Sequence, residues 1–226
     1  MEYERIRTFI KSFDKDEDDL MKNIRLDAEE RDIPIIRTDT ADFLKLMIRM
    51  VKPERVLEVG MAVGYSTLLF AREISTCIDG EKETSKEAGL SKWIDTCEND
   101  SLMIKEARGN FAAAKMDSRI NIIEGDAEET MKSLDGQYDL IFIDAAKAQY
   151  AVYMEEAIRL SHPGTVIICD NILGEGLVLE SHFLVEKRDR TIHDRMRTFL
   201  EKIKEDERID TSILSIGDGM TVSIVK

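Results

Sequence analysis

Residues 55–70, RVLEVGMAVGYSTLLF, decide how the rest of the chain is read. An apolar run carrying Glu58, then Gly60 and Gly64, then Tyr65-Ser66-Thr67 ahead of more apolar residues, has the form of a buried parallel strand, a glycine-bearing turn and a helix. Glycines in such a turn let the backbone approach a ligand closely. A dinucleotide site would show G-x-G-x-x-G here and a phosphate loop G-x-x-x-x-G-K-[ST]; the spacing E-x-G-x-x-x-G meets neither. The turn is therefore read as the cradle of some other cofactor, the alternative being an ordinary strand-to-helix turn.

Composition narrows the setting. A chain of 226 residues with 43% hydrophobic content buries one sizeable α/β core, so residues 1–226 read as a single domain, with residues 1–50 supplying helices that pack on that core. No apolar run spans a bilayer, and the opening MEYERIRTFIKSFDKDEDD lacks the apolar region of a signal peptide, so the expectation is a cytoplasmic protein with no membrane partner. Cys77, Cys97 and Cys169 have no C-x-x-C spacing and suit buried thiols better than a zinc site or a disulfide framework. A net charge of −14 argues against a protein that coats nucleic acid with basic surface. The charge is uneven: residues 14–19 are acidic, whereas Lys187, Arg188, Arg190, Arg195 and Arg197 gather late in the chain.

In chain order, Ile6, Phe9, Ile10 and Phe13, then Leu20 and Ile24, fall at helical spacing among charges and predict two amphipathic helices that cannot bury their stripes alone. They are expected to pack on the sheet, cover the site or form a homodimer surface. Residues 40–50 read as a helix capped by Thr40. The second strand is placed at residues 93–97, after a charged insertion at residues 77–92. A helix at residues 101–115, strands at Ile120–Glu124, Tyr138–Ile143 and residues 165–169, and a helix at residues 150–160 follow. The chain closes with a hairpin of residues 212–216 and 221–225 around Gly217-Asp218-Gly219. Such alternation predicts an α/β fold with a doubly wound parallel sheet.

Ligands bind such a sheet at the carboxyl ends of its strands. Glu98 ends the second strand, where its carboxylate suits ribose hydroxyls, and Asp126 ends the third, where it suits an adenine edge. Asp144 and the pair Asp170-Asn171 end the fourth and fifth. Three oxygen ligands there suit a hard cation such as Mg2+, while zinc would favour histidine or cysteine; the plainer reading of Asp170-Asn171 is a helix cap or Asx-turn.

These elements, in this order and spacing, resemble the class I S-adenosylmethionine-dependent, cation-dependent O-methyltransferases of the catechol and caffeoyl-CoA types. The resemblance rests on the strand and turn at 55–70 with Gly64-Tyr65-Ser66-Thr67, on Glu98, on the D-x-x-K element Asp144 to Lys147, and on Asp170-Asn171. It implies a mostly parallel, seven-stranded, Rossmann-like sheet with an antiparallel last strand. It also implies cofactor contacts from Ile36, Gly60, Ser66, Glu98, Asp126, Ala127 and Asp144, and a divalent cation (Mg2+ or another) held by Asp144, Asp170 and Asn171. A sulfonium methyl is already activated, so the task is to present a deprotonated oxygen in line with the methyl–sulfur bond. Lys147, one short turn beyond Asp144, is the candidate to take the proton.

Within that family, FIDAAKAQY, DNILGEGLV, EKRDR and IGDGMTVS resemble the branch that methylates 5-hydroxyuridine in the anticodon loop of bacterial tRNA, giving 5-methoxyuridine. That base offers neighbouring hydroxyl and carbonyl oxygens, and residues 186–197 would grip the RNA backbone while the base is splayed into the site. The alternatives are O-methylation of a small catechol-like or phenolic diol and, in a different class, a non-catalytic module that binds cofactor and metal.

Overall fold

The computed structural model describes residues 2–14, 17–81 and 93–226. Its elements are α1 (Glu2–Lys11), α2 (Asp19–Glu30), α3 (Thr38–Val51), β1 (Val56–Val59), α4 (Tyr65–Glu81), β2 (Ile94–Glu98), α5 (Ser101–Ala114), β3 (Ile120–Glu124), α6 (Ala127–Ser133), β4 (Tyr138–Ile143), α7 (Tyr150–Arg159), β5 (Ser161–Cys169), α8 (Arg190–Glu205), β6 (Ile209–Leu214) and β7 (Met220–Val225). The strands form one seven-stranded sheet in the order β3-β2-β1-β4-β5-β7-β6. Pairings from β3 across to β5 are parallel, and β7 runs antiparallel to both β5 and β6. This is the α/β architecture read from the sequence, with the order reversing direction at β1, the position where an open sheet leaves a crevice for ligands.

Strand alternation divides the interior into two cores. On one face Leu44, Ile48, Leu68, Phe70, Phe111 and Phe142 join α3, α4 and α5 to the sheet. On the other Leu57, Ile141, Tyr150, Tyr153, Phe199 and Ile203 do so for α7 and α8. All four residues of β1 are fully buried, as befits a central strand covered on both sides.

Several sequence expectations are adjusted. Thr40 does not cap α3: the helix starts at Thr38 behind Arg37, which makes no side-chain capping bond, and Thr40 is buried in the first turn. Strand β5 begins at Ser161, earlier than expected, and β6 ends at Leu214. The start of the expected insertion is the last turn of α4, and residues 82–92 lie outside the described residues. Of the two N-terminal helices, α2 buries Met21, Ile24 and Ala28, whereas Ile6, Phe9 and Ile10 of α1 and Phe13 just beyond it stay exposed. Among the described residues no helix is long and apolar enough to cross a membrane.

One contact sets how the strand ends meet. The Gly60 N–H donates to the Cys97 carbonyl (3.1 Å) and the Asp144 N–H to the Val59 carbonyl (2.9 Å), which draws the ends of β1, β2 and β4 together. Gly60 has φ +96°, and a Cβ there would stand 2.1 Å from the Asp144 carbonyl oxygen. Neither the conformation nor the space admits a side chain. Gly109, inside α5, has nothing within 4 Å of an added Cβ. Gly60→Ala should therefore cost about 2–4 kcal/mol, a fall in Tm of roughly 5–15 °C, while Gly109→Ala should stabilise by about 0.5–1 kcal/mol. Thermal unfolding of the two variants checks this; similar small effects at both positions would contradict the close approach.

Candidate active site

At the carboxyl ends of β1 to β4 lies one cleft of about 680 Å3. Gly60, Met61, Ala62, Tyr65 and Ser66 form its floor, Glu98, Gly125, Asp126 and Ala127 one wall, and Asp144, Lys147 and Asn171 the other. Pro34, Ile35, Ile36 and Arg37 also line it, ahead of α3. Every expected site residue except Asp170 borders this space.

The floor is stiffened by Glu58, which is wholly buried on β1. Its carboxylate accepts hydrogen bonds from Ser66 Oγ (2.5 Å), Thr96 Oγ1 (2.6 Å) and the Thr67 hydroxyl. Burial pushes the Glu58 carboxyl up to about 7 against the opposing effect of these three donors. Ser66 thus spends its hydroxyl proton on Glu58 while lining the cleft.

Glu98 accepts from the backbone N–H of Ala62 (2.9 Å), Asn99 (2.9 Å) and Asp100 (3.0 Å), which fixes its carboxylate at the mouth of the glycine turn. Asp126 Oδ1 caps α6 through the Glu128 N–H (2.9 Å), so the plain structural role and the cleft position coexist. Ile36 is buried and its carbonyl accepts from Arg25 Nη1 (3.0 Å). Arg25 is itself paired with Glu17 (3.1 Å), and both reach the Tyr65 hydroxyl. This partly buried triad ties α2 to the floor and to the strap over it. Sequence reasoning missed it because its members are far apart in the chain and Glu17 and Arg25 each pass for surface residues.

The opposite wall is rich in oxygen. Asn171 Nδ2 donates to Asp144 Oδ1 (2.8 Å), and the Asn171 N–H donates to Asp170 Oδ1 (2.8 Å), so the three expected cation ligands are mutual neighbours. Asp170 is 2% exposed and sits one layer deeper than the cleft wall. Two further acids join them, Asp218 of the Gly217-Asp218-Gly219 turn and Asp39 of α3, the latter accepting from the Gly217 N–H (3.1 Å). Burial, then Asp144 and these two acids, pushes Asp170 up to about 7, and burial likewise raises Asp144. Thr40 Oγ1 is buried without a hydrogen-bond partner, and both it and Asp170 Oδ1 lie within 4 Å of where a Gly217 Cβ would stand. Clustered carboxylates, an amide and an orphaned hydroxyl, with no histidine or cysteine ligand, form a donor set that fits a hard divalent cation. Lys147 lines the same wall, its Nζ 3.9 Å from Asp218 Oδ2. Nothing local in the chain marks Asp39 or Asp218 for this role, since an Asp in a helix start or a Gly-Asp-Gly turn is ordinary turn chemistry.

The late basic cluster lies outside the cleft. Arg190, Arg195 and Arg197 donate to the carbonyls of Val185 (3.0 Å), Ala148 (3.3 Å) and Val178 (3.3 Å), and Arg188 pairs with Glu186 (3.2 Å). Lys187 and Arg188 are exposed.

Comparison with known proteins gives a consistent result. Residues 11–226 match the family model described as O-methyltransferase. A catechol O-methyltransferase of Niastella koreensis is 30% identical over 93% of this chain and 91% of its own length. A catechol O-methyltransferase of Mycobacterium tuberculosis is 30% identical over 88% and 84%. The crystal structure of a SAH-bound methyltransferase from Podospora anserina superposes with a TM-score of 0.82 at 26% identity, over 99% of this chain and 95% of that one.

Burial has a consequence for stability. Glu58 and Asp170 hold their protons up to about 7 in the folded protein, against about 4 in an unfolded chain. The stability they contribute is therefore complete below about pH 4 and is lost as pH rises through 7. Without divalent cations, the protein should lose up to about 5 kcal/mol between pH 5 and pH 8, roughly half from each carboxyl, and Asp170→Asn should flatten part of that slope. Equal slopes in the two proteins, followed by thermal unfolding across pH, would show that Asp170 is not held protonated by its surroundings.

Proposed function

We propose a function from the premise that this chain belongs to the O-methyltransferase family: it transfers the methyl group of S-adenosylmethionine to a hydroxyl oxygen of a substrate with two adjacent oxygens. The observation that carries this reading is the single cleft that joins the glycine turn and the strand-end acids to the oxygen cluster and Lys147. In it Gly60, Ser66 and Ile36 would bracket the donor, Glu98 would accept from its ribose hydroxyls, and Asp126 and Ala127 would border its adenine. Asp144 would serve both sides, meeting the donor's amino group and the cation. Asp144, Asp170 and Asn171 would hold a divalent ion, which would supply Lewis acidity toward paired oxygens. Lys147, as the free amine, would receive the hydroxyl proton as the oxygen–methyl bond forms and the methyl–sulfur bond breaks, leaving S-adenosylhomocysteine.

The finer substrate reading is 5-hydroxyuridine in the tRNA anticodon loop. It is supported by the sequence segments quoted above and by one feature of the chain: Phe183 is 87% exposed and precedes the exposed Lys187 and Arg188 by four and five residues. An exposed aromatic and exposed cations on one short segment suit a splayed base and its phosphate. The second reading, a small catechol-like diol, is favoured by the spending of Arg190, Arg195 and Arg197 on local carbonyls. Self-association as a homodimer is proposed through the exposed stripe of Ile6, Phe9, Ile10 and Phe13.

Two outcomes test these statements. Chelation should abolish methyl transfer and Mg2+ should restore it. Asp170→Asn and Asn171→Ala should lower kcat/KM by roughly a hundredfold or more while leaving S-adenosylmethionine affinity nearly unchanged, whereas Asp144→Ala harms both; full activity of Asp170→Asn in chelator would rule out the cation-assisted reaction. Replacing Lys187 and Arg188 by alanine should raise the KM for tRNA and flatten its salt dependence, with little effect on a small catechol. Equal loss on both substrates, or loss on neither, would remove the tRNA reading's electrostatic support.

A further inference from the structure

We propose that His182, His193 and Asp194 form a second divalent-cation site, chemically distinct from the oxygen cluster of the cleft and suited to zinc. His193 and Asp194 stand in the first turns of α8, and His182 lies in the segment leading to it. One ligand atom from each residue lies within 4.8 Å of the other two.

The hydrogen bonding of His193 makes this more than proximity. Its Nε2 is 3.0 Å from the Glu180 carbonyl, which can only accept, so that nitrogen carries a proton. In the neutral ring the other nitrogen, Nδ1, is then a bare lone pair, and it faces Asp194 Oδ1 at 2.8 Å, an acceptor facing an acceptor. His182 Nδ1 points at the same carboxylate oxygen, also at 2.8 Å. Two imidazole nitrogens and a carboxylate oxygen thus converge on one place. A bound cation would satisfy all three. The bond from His193 to a backbone carbonyl is the support that orients a metal-binding imidazole.

The donor chemistry selects the ion. Two nitrogens and one oxygen match the borderline preference of zinc, and Mg2+ disfavours such a set. His193 is 2% exposed and anchors the site from below, whereas the side chains of His182 and Asp194 are 43% and 54% exposed, so an ion has a path in and a fourth position for water. Occupancy would staple the segment that carries Leu179, Phe183 and Leu184 to α8.

The test uses the full-length protein freed of metal and then given excess Mg2+ to fill the oxygen cluster. Zinc titrated by calorimetry should bind at one further equivalent and raise Tm by mass action. His182→Ala and Asp194→Asn should each weaken that binding about tenfold or more. Both replaced residues are half exposed, so the metal-free variants should keep the wild-type Tm, and Asp170→Asn should leave zinc binding intact. Zinc uptake unchanged in His182→Ala, or uptake lost in Asp170→Asn, would place the ion elsewhere. No zinc binding at all would show that the two rings share Asp194 as protonated donors in a plain anchor of the loop, and either result overturns the proposal.

Discussion

The backbone of Gly60 lies directly against the carbonyl of Asp144, and the arrangement of the cleft follows from that contact. A Cβ at residue 60 would fall 2.1 Å from that oxygen, so only glycine lets the turn after β1 lie against the end of β4. Because Asp144 is the first residue beyond β4, its close seating puts a carboxylate where the glycine turn and the oxygen cluster meet. The bonds from Gly60 to Cys97 and from Asp144 to Val59 hold the register of three strands at their carboxyl ends. A methyl donor laid along the turn and an acceptor oxygen placed by Asp144 and Asn171 would therefore share one boundary.

Around this contact the protein accumulates buried negative charge. Glu58 is held by three hydroxyl donors, and Asp39, Asp144, Asp170 and Asp218 crowd together with Lys147 facing Asp144 and Asp218. Such crowding costs stability in an empty protein, because burial and like charge both disfavour the ionised carboxylates. The same crowding makes a divalent cation a strong competitor for the protons. A site that gave up folding free energy in order to bind an ion, the role proposed for this cluster, would be built this way.

How much of this was legible in the sequence depended on whether the signal was local. Strands β1, β3 and β4 are short apolar runs with punctuated ends, and Glu98, Asp126, Asp144 and Asp170 were located because each follows such a run. Thr40 was misplaced because a threonine ahead of an apolar stretch looks like a cap, whereas the helix starts two residues earlier with no capping side chain. The partners of Glu58 were hidden because Thr96 belongs to a different strand, 38 residues on. Helix α8 does carry a buried stripe, His193, Met196, Phe199 and Ile203, at helical spacing. Its dense charge drew attention to phosphate binding instead, and the structure turns several of those arginines inward to carbonyls.

The proposed reaction depends on where a divalent cation would sit relative to the methyl donor. Anomalous diffraction from crystals grown with Mn2+ and S-adenosylhomocysteine measures this directly. The predicted result is one strong peak bonded to Asp144, Asp170 and Asn171, with the cofactor's sulfur facing the same pocket across Gly60. A cofactor seated along Gly60 with no manganese at those three residues would contradict it.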